Sequence, residues 1–349
     1  MEQLKKKALF NEHGDIEVTK RRMINGNTTN LNDFNNMKYP WVSDWYRQAM
    51  NNFWVPEEIN LNQDVKDYRR LSKAEKTAYD KILSFLVFLD SLQTANLPNV
   101  SAYITANEVN LCLTIQAFQE ALHSQSYSYM LDTICEPQER NDILYQWKND
   151  PLLLERNRFI GDQYNAFQEN RDAFHLVRMM MANYILEGTY FYSGFMFFYN
   201  LGRMGKMPGS ASEIRYINRD ENTHLWLFHN ILRELQKEEP QLFSPSYQKI
   251  YTDMLRTGVE EECRWARHVI GSDIEGLNID MVVDYIRYLG NKRARDLQLG
   301  DLFEDNREEP QSMQWVSVYS NANLIKTDFF EARSTAYAKS SALIDDLDD

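Results

Sequence analysis

Between residues 72 and 297, apolar positions recur at the three- and four-residue spacing that turns one face of a helix toward a core. Ser72 opens the run SKAE, in which the Glu75 side chain can return to the Ser72 backbone as a capping box, and an apolar stripe follows from Ile82 to Leu92. Pro98 reads as the end of that helix. Further helices are predicted over about 101–134, 150–168, 173–201, 213–236, 246–271 and 280–297, with Pro137 and Pro240 as stops. The stretch GRMGKMPGS reads as a loop between two of them, without the GxxxxGK[ST] spacing that cradles a phosphate. Residues 1–35 are polar, Asn-rich and aperiodic, an arm expected to be ordered only where it lies on something. From about residue 321 the chain is poor in apolar residues and ends in ALIDDLDD, too polar to bury itself. The expected organisation is an N-terminal arm (1–35), one all-α helical domain (36–320) and a flexible C-terminal tail (321–349). No repeat of 20–50 residues is visible, so a solenoid is not indicated.

Residues 177–201 carry only Arg178 and Glu187 as charges and are long enough to cross a bilayer. A carboxylate near the middle, with Asn183, Tyr184, Thr189 and Asn200 around it, would be costly in lipid, so the stretch reads as the central helix of a large non-membrane core. Composition supports helices, because 13 Gly and 9 Pro are few for a turn-rich β fold, while 7 Trp, 20 Tyr and 18 Phe can fill one core. The net charge of −13 argues against a nucleic-acid backbone as partner, and Lys5 to Lys7 are too few to reverse it. Cys112, Cys135 and Cys263 show no CxxC spacing, so neither a disulfide framework nor a zinc knuckle is indicated, and a reducing cytoplasmic location is expected. The N-terminus shows no apolar run of the signal-peptide kind.

The chemistry lies in polar residues on apolar stripes. Glu120 and His123 are three apart in one predicted helix, and Glu221 and His224 repeat the spacing in another, which places each pair on one face within reach of a single metal ion. With 26 Glu and 6 His, chance gives on the order of 0.5 such pairs, so one would mean little. Asp90 and Glu187 each interrupt an apolar run on a further helix. A buried carboxylate needs a cation or a proton. One carboxylate from each of two helices and an ExxH from each of two more is the ligand pattern of dinuclear iron or manganese bundles, with Asp90 in place of one Glu. Two divalent ions would balance four carboxylates, and carboxylate plus imidazole suits iron or manganese. Asp172 and His175 share the spacing but sit at a polar helix start and read as a cap. His13, His229 and His268 lack such partners. Tyr127 follows His123 by one turn, an oxidisable phenol on the ligand face, with Phe191, Phe195 and Ile217 placed to wall it from water.

These motifs resemble the small, radical-generating subunit of class I ribonucleotide reductase: Asp90 in FLDS, Glu120, His123 and Tyr127 in AFQEALHSQSYSY, Glu187 in ILEG, and Glu221 and His224 in INRDENTH. The resemblance covers roughly residues 40–340. It implies a ferritin-like helical bundle with a dinuclear iron centre, or alternatively a dinuclear manganese centre, held by Asp90, Glu120, His123, Glu187, Glu221 and His224. It further implies a stable radical on Tyr127, a transfer route through Trp54 and Asp220, and Tyr337 as a final relay in the tail. The implied partners are a second copy in a homodimer, a large subunit docked through the tail and, if the metal is manganese, an activating flavoprotein. A tyrosine at 127 disfavours the branch with phenylalanine there and a mixed manganese and iron centre, and the DDLDD ending departs from the terminal aromatic or leucine of relatives. Two rival readings are an oxygen-dependent dimetal oxygenase or oxidase, which needs a substrate channel where Tyr127 sits, and an iron-storage subunit, which needs no relay tail.

Overall fold

The computed structural model describes residues 3–320, and among these it forms helices and no strand. In order they are α1 (Trp41–Asn51), α2 (Asn62–Tyr68), α3 (Lys73–Ser101), α4 (Asn107–Ile134), α5 (Pro137–Tyr145), α6 (Pro151–Asn170) and α7 (Ala173–Ile185). A single π-helical turn, Leu186–Tyr190, joins α7 to α8 (Tyr192–Arg203). Then come α9 (Pro208–Glu238), α10 (Pro245–Val269), α11 (Ile279–Asp296) and the short α12 (Gln314–Ser320). The long pair α3 and α4 pack along each other, α9 lies against α4, α7 and α8, and α10 and α11 flank the π turn. Nearly every residue from Leu176 to Leu201 is buried, so this rod is the centre of the core. No described helix is long and apolar enough to cross a membrane.

The capping box at Ser72 forms: the Ser72 amide donates to Glu75 Oε2 at 2.8 Å and the Glu75 amide to Ser72 Oγ at 3.2 Å. Asp172 caps α7 by accepting from the His175 amide at 2.9 Å, as its place at a polar helix start suggests.

Four boundaries differ from the sequence reading. Pro98 does not end α3, which runs on through Ser101; the proline lies in its last turn, where it removes one donor and the Ala102 amide still reaches the Pro98 carbonyl at 3.2 Å. The next helix begins at Asn107 rather than 101, because the arm engages the intervening backbone: the Thr105 amide donates to Met23 O, Thr105 Oγ1 to Arg22 O, and Lys7 Nζ to Ile104 O. The helix expected over 173–201 is divided by the π turn. The helix expected from 213 starts at Pro208, inside the expected loop. Pro208 suits a first helical position, and the buried first-turn amides of Gly209 and Ser210, which have no partner within the helix, donate to the carboxylate of Asp64 at 2.9 and 2.6 Å. That cap comes from 145 residues upstream, so local pattern could not show it.

Candidate metal centre

Asp90 from α3, Glu120 and His123 from α4, Glu187 from the π turn, and Glu221 and His224 from α9 converge in the bundle core, none more than 1% exposed. They form two groups of four, Asp90, Glu120, His123 and Glu221, and Glu120, Glu187, Glu221 and His224. Within each, one ligand-type atom per residue lies within 4.8 Å of the others, and Glu120 and Glu221 belong to both. His123 Nδ1 lies 3.1 Å from Glu221 Oε1, and His224 Nδ1 lies 3.1 Å from Glu120 Oε1 and 2.9 Å from Glu221 Oε2.

Each imidazole is oriented by its far nitrogen. His123 Nε2 faces Asp220 Oδ2 at 3.3 Å, and His224 Nε2 faces Gln119 Oε1 at 3.0 Å. An Nε2–H donated outward leaves Nδ1 bare toward the carboxylates, the arrangement that prepares a histidine for a metal. Glu187 Oε1 accepts from Gln93 at 2.7 Å, Gln116 at 3.2 Å and Asn183 at 3.4 Å. Tyr164 donates to Gln93 behind them. Sequence reasoning missed these amides, although the signal was present: Gln93 is three residues after Asp90, Gln116 and Gln119 are four before Glu120 and His123, and Asn183 is four before Glu187.

Both oxygens of Asp90, Glu120 Oε2 and Glu187 Oε2 are buried without a hydrogen-bond partner, and His123 Nδ1 and Glu221 Oε1 meet only as a close pair without hydrogen-bond geometry. Orphaned acceptors at this density are costly, and two divalent cations are the group that this donor set fits. Protonation shows the same frustration. Burial, then the charges of Glu120 and Glu221, push the Asp90 carboxyl far above its ordinary range, and burial with Glu221 and Glu120 does so for Glu187. Burial opposes charge on the histidines, but Glu221 and its neighbours outweigh it at His123, and Glu120 and Glu221 raise His224 to about 9. Burial also pushes Glu221 upward, yet Glu187, His224 and His123 together hold it low.

A raised pKa means that the folded chain keeps a proton the unfolded chain has released. The His224 contribution is therefore full below about 6.5 and lost as pH rises through about 9, and Asp90 and Glu187 act in the same direction from lower pH. Glu221 alone opposes them, contributing above its ordinary value near 4.5. Metal ions replace those protons. The stability gap between metal-loaded and metal-free chain is expected to widen from pH 6.5 to 9, by about 1.4 kcal/mol per pH unit for each proton displaced, and the two melting temperatures should move apart with it. A gap that stays constant in calorimetry would contradict this.

Tyr127 is fully buried, and its hydroxyl has no hydrogen-bond partner. Burial, and then the charge of Asp90, hold its pKa far above the ordinary phenol value, so it stays a neutral phenol. Phe191, Phe195 and Ile217 are buried with it. Trp54 is 1% exposed and donates from Nε1 to Asp220 Oδ2 at 2.8 Å, the same oxygen that faces His123. Its ring stacks on Tyr216 at 5.3 Å between centroids. Arg219 holds the other oxygen, Asp220 Oδ1, at 3.3 Å. Tyr337 lies outside the described residues.

Fold and cluster together define a ferritin-like helical bundle of the class built around a dinuclear metal site. The family described as "Ribonucleotide reductase, small chain" matches residues 31–310. The ribonucleoside-diphosphate reductase subunit beta of Treponema pallidum (strain Nichols) is 71% identical over 344 residues, 99% of this chain and 98% of that one. The ribonucleotide reductase R2 subunit from Clostridium botulinum superposes with a TM-score of 0.88 at 48% identity, covering 91% of this chain and 99% of that one. A dimanganese(II) structure of Streptococcus sanguinis NrdF gives a TM-score of 0.69 at 25% identity, covering 83% of this chain and 99% of that one. The chain belongs to the ribonucleotide reductase small-chain family, as a small subunit of ribonucleoside-diphosphate reductase, an oxidoreductase.

Proposed function

We propose that Asp90, Glu120, His123, Glu187, Glu221 and His224 hold two iron or manganese ions, and that Tyr127 stores a one-electron oxidising equivalent. That equivalent then passes to a separate large subunit, where it starts reduction of ribonucleotides. The observation that carries this reading is the pair of four-residue groups sharing Glu120 and Glu221, lined with orphaned ligand atoms. The metal ions, when bound and oxidised, supply the one-electron oxidising power that these side chains lack.

The chain's own residues do the rest. Asp220 and Gln119 set the orientation of the two imidazoles, and the amides of Gln93, Gln116 and Asn183 fix one Glu187 oxygen while Oε2 stays free to bind. A phenol that loses an electron also releases its proton, and Asp90 is the carboxylate whose charge Tyr127 feels most. Complete burial keeps water and reductants from the resulting radical. The hydrogen-bonded series His123, Asp220 and Trp54 offers a continuous path away from the metal cluster. Tyr337 and the tail over 321–349 would receive the equivalent and dock on the large subunit, and the chain would act as a homodimer. The metal of the Streptococcus relative favours keeping manganese beside iron, and with manganese a flavoprotein would supply the oxidant.

Replacing Glu221 by alanine tests the metal reading, since Glu221 belongs to both groups. Metal analysis after reconstitution should show two ions per wild-type chain and a clear loss of occupancy in the variant. Equal occupancy in the two proteins, or none in either, would overturn the assignment.

A further inference from the structure

The π turn that carries Glu187 and the start of α8 are gripped at three backbone points, two in the turn and one at Ser193, by buried charged side chains that are not part of the cluster. A π turn interrupts the regular helical ladder and re-aims its side chains, which makes its backbone groups the ones that need outside partners. Arg156 of α6 donates from Nη2 to the Tyr190 carbonyl at 3.1 Å and to Glu262 Oε2 at 2.6 Å. Glu262 of α10 accepts through its other oxygen from the Ser193 amide at 2.8 Å. Thus one ion pair supplies a donor to the carbonyl on one side of the junction and an acceptor to the amide on the other. Arg293 of α11 donates from Nε to the Gly188 carbonyl at 3.2 Å, one residue after Glu187.

The cost of this arrangement argues for a purpose. Arg156 and Glu262 are fully buried, Arg293 is 6% exposed, and the Arg156 guanidinium lies between the rings of Tyr190 at 4.2 Å and Phe85 at 4.3 Å. A buried ion pair contributes little net stability compared with apolar residues of the same volume, so packing alone does not call for one. It does impose geometry. At position 188 a Cβ would lie 3.0 Å from Leu225 Cδ1 and 3.2 Å from Arg293 Nε, so glycine there gives the guanidinium room to approach.

We propose that Arg156, Glu262 and Arg293 are positioning residues that hold the π turn in register and thereby aim Glu187 at one of the two metal positions. The inference rests on the metal reading above. It predicts a selective defect, because Glu187 belongs to only one of the two four-residue groups. The ion held by Glu120, Glu187, Glu221 and His224 should bind more weakly without the clamps, while the ion held by Asp90, Glu120, His123 and Glu221 should keep its affinity.

The test uses the full chain and manganese(II) alone. Two variants address the clamps independently: Arg293→Lys, which keeps the charge but not the guanidinium donor, and the charge-neutral double substitution Arg156→Met with Glu262→Met, which leaves no unpaired buried ion. Manganese(II) titration followed by electron paramagnetic resonance should give two ions and a spin-coupled signal for wild type. The variants should bind one ion normally and the second about 10- to 100-fold more weakly, with the six-line signal of an isolated ion at intermediate loading. Melting of the metal-free variants is the control for folding. Two ions bound with wild-type affinity in either folded variant would overturn the inference. So would equal weakening at both positions in step with a lowered metal-free melting temperature, which marks a merely structural role. A wild-type chain that binds no manganese(II) would instead overturn the metal reading itself, so the two failures are distinguishable. If the double variant does not fold, Arg293→Lys decides alone.

Discussion

Replacing Tyr127 by phenylalanine is expected to leave both metal ions bound, abolish the organic radical and reduce ribonucleotide turnover to background. Phenylalanine occupies almost the same volume, so the fully buried site should keep its packing. The change also removes a buried hydroxyl that has no hydrogen-bond partner, so no donor or acceptor is stranded by its loss. What disappears is the oxidisable O–H. Metal analysis, the radical spectrum and turnover with the large subunit should therefore separate, with the first unchanged and the other two lost. A persistent tyrosyl signal in this variant would move the radical to another of the 20 tyrosines.

Trp54→Phe is expected to give the complementary result: metals and the Tyr127 radical retained, turnover lost. The indole N–H is the donor that joins Trp54 to Asp220, and phenylalanine keeps an aromatic ring beside Tyr216 without that donor. Asp220 retains Arg219 on one oxygen and His123 on the other, so the carboxylate is not left bare and the cluster should keep its geometry. Some loss of stability is expected from the smaller side chain, on the order of 1–3 kcal/mol for reduced core volume. Measuring the radical and the turnover in the same sample removes that ambiguity, since an unfolded chain loses both. Full turnover in this variant would place the transfer route elsewhere.

The parts of the site that sequence could show were those with a local period. Glu120 with His123 and Glu221 with His224 announced themselves by a three-residue spacing on apolar stripes, and Asp90 and Glu187 by interrupting apolar runs. The structure brings all six into one cluster. The amides around Glu187 were legible by the same rule, one helical turn from the clustered carboxylates and histidines, and were overlooked because a Gln or Asn on a stripe carries no charge to balance. Other features depend on residues remote in sequence. The cap that Asp64 places on α9 spans 145 residues, and the arm that delays α4 until Asn107 does so through Met23 and Arg22. The π turn gives no periodic signal at all; its partners Arg156, Glu262 and Arg293 lie on three different helices. Of the short helices, α2 and α5 escaped because a few turns carry too little period to stand out from a loop, whereas α1 carries Val42, Trp45 and Ala49 at helical spacing and was overlooked.

Low-temperature electron paramagnetic resonance on the full chain, reconstituted with iron or manganese and exposed to oxidant, with metal analysis of the same sample, reads the metal pair and the Tyr127 radical together. Two metal ions per chain are expected, together with a tyrosyl radical signal that is absent from Tyr127→Phe. Two ions with no organic radical under any activating condition, or a chain that retains fewer than two ions, would contradict that expectation.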